Sequence, residues 1–168
     1  MANFDSNYWY QIYANKNKND SFVGTSLYNK GISGAVFFNT TDTTEQVQQW
    51  QLFPFNSTNY VLRSRDSGPQ GYLEAKVSIN ETTQGVTVPY MRNASTSDNS
   101  MFWQVGPWND GTFYMTNSAN GTGWRLNVKS NTLMAMDSDF TPIQDGQRFN
   151  FQRLNQINDE RYSSVIVC

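Results

Sequence analysis

The window Trp50-Gln51-Leu52-Phe53-Pro54-Phe55-Asn56 returns 53 positions later as Trp103-Gln104-Val105-Gly106-Pro107-Trp108-Asn109. Trp, Gln, Pro and Asn are identical, the third position is aliphatic in both copies and the sixth aromatic. A weaker copy, Phe151-Gln152-Arg153-Leu154, lies 48 residues further on, with Phe in place of Trp. Self-similarity at a period near fifty marks a repeat architecture, in which each unit buries its apolar face against its neighbours. A Trp that recurs inside an apolar segment is best explained by burial, so Trp50 and Trp103 are expected to be core anchors.

Each anchor closes a segment with the same internal order. An aromatic-led strand opens it, at Tyr10-Gln-Ile-Tyr13, Tyr60-Val-Leu-Arg63 and Phe113-Tyr-Met-Thr116. A short strand with a central Leu follows, at Leu27, Leu73 and Leu126, offset by 17, 13 and 13 residues from the leading aromatic. A third strand ends near Phe38, Met91 and Met136, and the count from there to the anchor is 12, 12 and 15. Apolar side chains at Tyr10 and Ile12, and at Tyr60 and Leu62, fall at the period of two that half-buried strands show. Ala, Leu, Glu and Lys together supply only 23 of 168 residues, so few helices can be built. The expectation is an all-β chain of three repeats with about four strands each, at about 8–57, 58–110 and 111–154, closing a threefold barrel with a hairpin cap. An ordinary sandwich is the competing architecture. The tail 155–168 lies outside the third repeat and is expected to wrap the barrel or fray.

Composition then removes whole classes of function. Zero His takes away His-based triads and most zinc and haem sites, and a single Cys, Cys168, takes away disulfide frameworks and thiolate cages. No metal or cofactor is expected. A net charge of −2, thinly spread, does not fit a nucleic-acid binder. The longest apolar stretches, Ala35–Phe38 and Val165–Cys168, are far too short to span a membrane, and the start of the chain lacks a signal-peptide pattern. Glu occurs only at 45, 74, 81 and 160, while Asp42, Asp66, Asp98, Asp110, Asp137 and Asp145 mostly fall in Asx-turn contexts, so no catalytic carboxylate pair is expected and the chain is not read as an enzyme. What remains is 63 Asn, Gln, Ser and Thr residues against 25 aromatics, a combination suited to neutral, hydroxyl-rich ligands.

Gln48-x-Trp50, with Trp103 and Phe151 at equivalent places, resembles the Gln-x-Trp signature of the ricin B-chain-type β-trefoil lectins. Tyr60-Val-Leu-Arg-Ser-Arg-Asp-Ser-Gly-Pro-Gln-Gly-Tyr72, Asp110–Asn117 and Asn120-Gly-Thr122 are similar to the disulfide-free fungal branch. The resemblance covers about residues 8–154. It implies a β-trefoil that binds glycans or glycoproteins noncovalently on the outer face of each repeat. It implies an acid just after the Leu of the second strand, an aromatic twelve residues before the Trp, and amides beside the Gln-x-Trp. Acid and amides exchange hydrogen bonds with vicinal hydroxyls, and the aromatic packs on the sugar's C–H face.

Carried over residue by residue, the first repeat offers Tyr28 with Asn29, Phe38 and Gln48. The second offers Glu74, Tyr90 beside Met91, and Asn99. The third offers Asn127 at the acid position, Met136 at the aromatic position and Gln147 nearest the amide. Glu74 is the only acid at its implied place, which makes the second repeat the first choice and the first repeat the second. Trp124, without an aromatic at the matching places of the other repeats, is a candidate binding-surface aromatic. Phe55 and Trp108 are expected to plug the barrel, and Arg63, Arg65 and Asp66 to form a surface charge cluster. The competing reading is a protein-binding trefoil, inhibitor-like or structural, with vestigial sugar sites. Six sequons, at Asn19, Asn39, Asn56, Asn80, Asn93 and Asn120, fit an extracellular protein, while a lone Cys168 fits a reducing compartment. Neither the sugar nor the oligomeric state is set by the sequence.

Overall fold

The computed structural model describes residues 3–29, 33–75, 87–93 and 99–165. Its twelve strands fall in chain order as β1 (Tyr8–Ala14), β2 (Asp20–Asn29), β3 (Ser33–Thr40), β4 (Trp50–Pro54), β5 (Tyr60–Ser64), β6 (Gly71–Glu74), β7 (Tyr90–Asn93), β8 (Trp103–Pro107), β9 (Phe113–Asn117), β10 (Arg125–Ser130), β11 (Leu133–Asp137) and β12 (Phe149–Gln156). Six of them close a barrel in the order β1-β12-β9-β8-β5-β4. The others form hairpins that cap it: β2-β3-β7-β6 as one sheet and β10-β11 as a separate pair. A closed barrel under three hairpins is the β-trefoil that the repeats imply.

Threefold equivalence can be read from the register. The first and last strands of each repeat meet at Tyr10↔Trp50, Tyr60↔Trp103 and Phe113↔Phe149. The third anchor is therefore Phe149, fully buried, and not Phe151, which is half-buried two residues along the same strand. The hairpins give a second equivalence: Phe22↔Phe38, Leu73↔Met91 and Leu126↔Met136. Phe22, not Leu27, is thus the partner of Leu73 and Leu126. The indole N–H groups agree, since Trp50 Nε1 donates to Phe22 O and Trp103 Nε1 to Leu73 O, both at 2.9 Å. All six hairpin residues are buried in the central core, each removed from water at a gain of about 1.5–3 kcal/mol.

Phe4 plugs the barrel end expected of Phe55 and Trp108. Its ring lies 5.4 Å from Tyr10, 5.7 Å from Tyr60 and 6.1 Å from Phe113, one aromatic from each repeat, and 4.7 Å from Phe151. Phe55 instead stacks on Phe102 at 4.7 Å.

Arg63 does not belong to a surface cluster: it is 0% exposed. On β5 it points away from the barrel interior, beside Gln51 of β4, and the C-terminal segment covers both. Arg63 donates from Nε and Nη2 to Gln51 Oε1 (2.9 and 2.6 Å), from Nη1 to Pro69 O (3.0 Å) and Ser164 O (2.9 Å), and from Nη2 to Tyr162 O (3.0 Å). Tyr162 packs edge-on against Trp9 at 5.0 Å, and Ile157 N donates to Asn7 O at 2.8 Å. The tail through Val165 wraps the barrel.

Candidate functional site

The third-repeat hairpin alternates inward and outward side chains. Leu126 and Val128 of β10 enter the core, so Arg125, Asn127 and Lys129 share the opposite face. Arg125 pairs with Asp137 and Asn127 with Ala135 across the ladder, which brings Asp137 onto that face. Asp137 Oδ2 accepts from Asn127 Nδ2 at 2.9 Å and lies 3.5 Å from Lys129 Nζ, while Oδ1 accepts from Asp139 N at 2.9 Å. Asn127 Nδ2 also reaches Gln144 Oε1 at 3.1 Å, and Gln144 Nε2 donates to Asp139 O at 2.9 Å. Burial pushes the Asp137 carboxyl up, but the Asp139 N–H, the Asn127 amide and the Lys129 ammonium together hold it below the usual carboxylate value. Asp137 is thereby an anionic acceptor at neutral pH.

Beside it, the Arg125 guanidinium carbon sits 3.7 Å from the ring centroid of Tyr114, 4.7 Å from Phe140 and 5.0 Å from Trp108. All three rings are half-buried and keep part of their surface in water. Gly106 makes this stack possible, because any Cβ there would overlap the Tyr114 ring. Trp108 is fixed by its Nε1–H, which donates to Gln147 O at 2.8 Å, and meets Tyr114 edge-on at 5.2 Å. Arg125 Nε donates to Thr122 O at 3.4 Å, whereas its Nη1 is buried without a hydrogen-bond partner among the described residues, facing π-electrons instead. Burial lowers the Arg125 pKa and Tyr114 partly offsets this. The face joins aromatic surface, a guanidinium, a carboxylate and two amides, the set that recognises a ring with polar edges and apolar faces. Among the described residues, no cluster of three or more His, Cys, Asp or Glu could hold a metal ion.

The implied sites of the other repeats are built differently. Glu74 is 0% exposed; Tyr90, directly opposite on β7, donates its hydroxyl to Glu74 Oε2 at 3.3 Å, and Arg92 Nη1 lies 3.5 Å from the same oxygen. The carboxylate is engaged by its own hairpin. Asn99 is exposed at the start of a 3-10 turn whose Ser100 carbonyl accepts from Ala75 N at 3.1 Å. Phe38 is a core residue stacked on Phe22 at 5.1 Å, with Phe22 in turn on Trp50 at 4.7 Å. Gln48 is buried: its Oε1 accepts from Asp42 N and its Nε2 donates to Thr40 O, both at 2.9 Å. Gln147 does the same in the third repeat, accepting from Gln144 N and donating to Asp139 O, each at 3.1 Å. The Gln of the signature therefore clamps the loop before the anchor and offers no amide outward.

Asn29 ends β2 opposite Ser33, seven residues beyond Phe22, and so does not occupy the place equivalent to Glu74; Val23 does. Its side chain lies outside the described residues. Asn127 is buried and orients Asp137. Trp124 is half-buried against the core. Arg125, Asp137, Phe140 and Gln144 are the residues that the repeat alignment missed. Counting twelve back from Phe149 reaches Asp137, but the resemblance asks for an aromatic there and the register makes Met136 the equivalent of Phe38 and Met91, so the repeat spacing does not point to Asp137 as an acid.

No family model matches the chain, and no curated protein matches it. Solved structures do. A mosquitocidal holotoxin superposes with TM-score 0.71 at 19% identity, over 92% of this chain and 18% of the toxin's length. The designed threefold-symmetric protein ThreeFoil gives 0.65 at 18% identity, over 87% of this chain and 99% of its own. A Polyporus squamosus lectin gives 0.66 at 14% identity, over 90% and 51%. At these identities the likeness speaks for architecture. The chain is a β-trefoil.

Proposed function

We propose that the chain binds glycans noncovalently, without turnover, through the outer face of its third repeat, as a module of the ricin B-type, Gln-x-Trp kind. The observation that carries this reading is the Arg125 guanidinium seated among Tyr114, Phe140 and Trp108 beside the ionised Asp137. Partly exposed aromatic faces pack on sugar C–H surfaces, and a carboxylate accepts hydroxyl hydrogen bonds. The paired Gln48-x-Trp50 and Gln147-x-Phe149 supply the support for that family. Among the structures of the same fold, the Polyporus squamosus lectin was solved with Neu5Acα2-6Galβ1-4GlcNAc bound. The protein-binding alternative draws its support from Glu74 and Gln48, whose polar atoms are engaged internally in the first two repeats.

A glycan array read with the whole chain and with Phe140→Ala and Asp137→Ala tests the proposal. The expected result is binding by the parent chain and at least about tenfold weaker signal in each variant, the loss of one aromatic or charge-assisted contact of about 1.4 kcal/mol. Circular dichroism confirms that both variants fold. Binding unchanged in both variants, or no glycan bound by the parent, overturns it.

A further inference from the structure

A cleft of about 370 Å³ opens between the first and third repeats, where the β10-β11 hairpin tip approaches β3. Its buried floor includes Phe38 and Val128, and its exposed rim carries Lys16, Asn17, Lys129 and Asn131. The volume lies near the lower end of the roughly 300–1,000 Å³ typical of small-molecule pockets, enough for a single sugar unit.

The cleft is preorganised. Asp20, 7% exposed, uses Oδ2 to accept from Asn17 Nδ2 at 2.5 Å and from Asn131 Nδ2 at 2.8 Å, across 111 residues of sequence in the second case. Phe38 N donates to Asn131 O at 2.7 Å. These bonds fix the distance between the two walls, with two amides on one oxygen of the buried carboxylate. What the rim presents is cationic. Lys16 has no ion-pair partner among the described residues, and Lys129 has only the 3.5 Å pair with Asp137. That pair is partly exposed and weak, leaving the ammonium free to turn to a second anion.

We propose that this cleft is a second ligand site, for a carboxylate-bearing sugar whose C–H face lies on Phe38 and Val128 and whose carboxylate sits between Lys16 and Lys129. An apolar floor selects a ring over a bare anion, and two ammonium groups select an acidic ring over a neutral one. The inference does not depend on the third-repeat aromatics Tyr114, Phe140 and Trp108, although the 3.5 Å pair between Lys129 and Asp137 joins the two sites.

The test is a titration of the ¹⁵N-labelled chain with glucuronic acid, glucose and acetate, followed by amide chemical shifts. Glucuronate is expected to shift the amides of Asn17, Phe38 and Asn131 with an affinity about tenfold or more above that of glucose, weakening as salt rises. Lys16→Gln and Lys129→Gln are each expected to weaken it severalfold in chains that circular dichroism shows to be folded, while Phe140→Ala leaves it intact. Loss of array binding in Phe140→Ala alongside retained glucuronate shifts separates the two sites. Equal shifts from glucose, equal shifts from acetate, shifts confined to other regions, or lysine variants that bind like the parent each overturn the assignment.

Discussion

Aspartate serves this chain mainly as a turn former, and Asp137 is where that role acquires a second use. Asp42, Asp110 and Asp159 each accept from the backbone N–H two residues on, and Thr44, Thr112 and Arg161 add their side chains. Hydrogen bonds of this kind hold the three carboxyls below their ordinary value. Asp137 makes the same turn contact with Asp139 N but also gathers Asn127 and Lys129. Its folded pKa lies below the ordinary aspartate value, so it adds stability that is complete above the unfolded value and disappears as pH falls through the folded one. Thermal melts of the parent and Asp137→Asn should therefore differ by a constant amount from pH 7 down to about pH 5, and converge below about pH 4. A difference that persists unchanged at pH 2.5 would show that the carboxylate charge is not what stabilises the turn. The turn-forming aspartates were legible from their neighbours in sequence, because the contact spans two residues. The binding face was not, since Arg125 meets Trp108, Tyr114 and Phe140 only after three separate segments fold together.

At the scale of elements, the strands were legible and their covering was not. Alternation in Tyr60-Val-Leu-Arg63 places Arg63 opposite Leu62, hence outside the barrel, and an outward arginine reads as solvated. Period two cannot show that a segment a hundred residues later lies over it. The same limit produced the Leu27 assignment: β2 is ten residues long with the apolar residues Phe22, Val23 and Leu27, and the pairing with Phe38 and the indole bond from Trp50 to Phe22 O distinguish them. Arg63 donates to carbonyl and amide oxygens, with Phe53 and Tyr162 rings 5.5 and 5.1 Å from its guanidinium carbon. Arg63→Met keeps the stem and strands Gln51 Oε1 together with the carbonyls of Pro69 and Ser164, while Tyr162 O keeps its 2.7 Å bond from Gln51 Nε2. The expected loss is about 3 kcal/mol, or about 10 °C in Tm, with Arg63→Lys recovering only part of it because three donors replace the five-donor fork. Trypsin should also cut after Arg161 markedly faster in Arg63→Met, as the tail comes free. Stability within about 0.5 kcal/mol of the parent would mean that the tail is held without Arg63, by Trp9, Ile157 and the bonds of Tyr162 to Gln51 and Arg65.

The whole molecule keeps its threefold symmetry where the barrel closes and abandons it in the cap. Tyr10↔Trp50, Tyr60↔Trp103 and Phe113↔Phe149 repeat one junction three times, because a barrel shuts only if its strands share tilt and stagger. The cap carries no such constraint. Ser33↔Arg92 and Gly34↔Met91 join the first two hairpins into one sheet, whereas among the described residues β10-β11 forms no ladder with its neighbours and its backbone meets them at Phe38 N to Asn131 O and Met136 N to Thr87 O. The cleft opens at the hairpin tip, where symmetry is broken. Asp20 tethers that tip through Asn131. Asp20→Ala should release that tip without opening the barrel. Hydrogen exchange is expected to quicken at least about tenfold at the Phe38 amide, while ladder amides of β4 and β8 keep their protection. Equal loss of protection across the barrel would instead make the hairpin and the barrel one cooperative unit, with Asp20 supporting both.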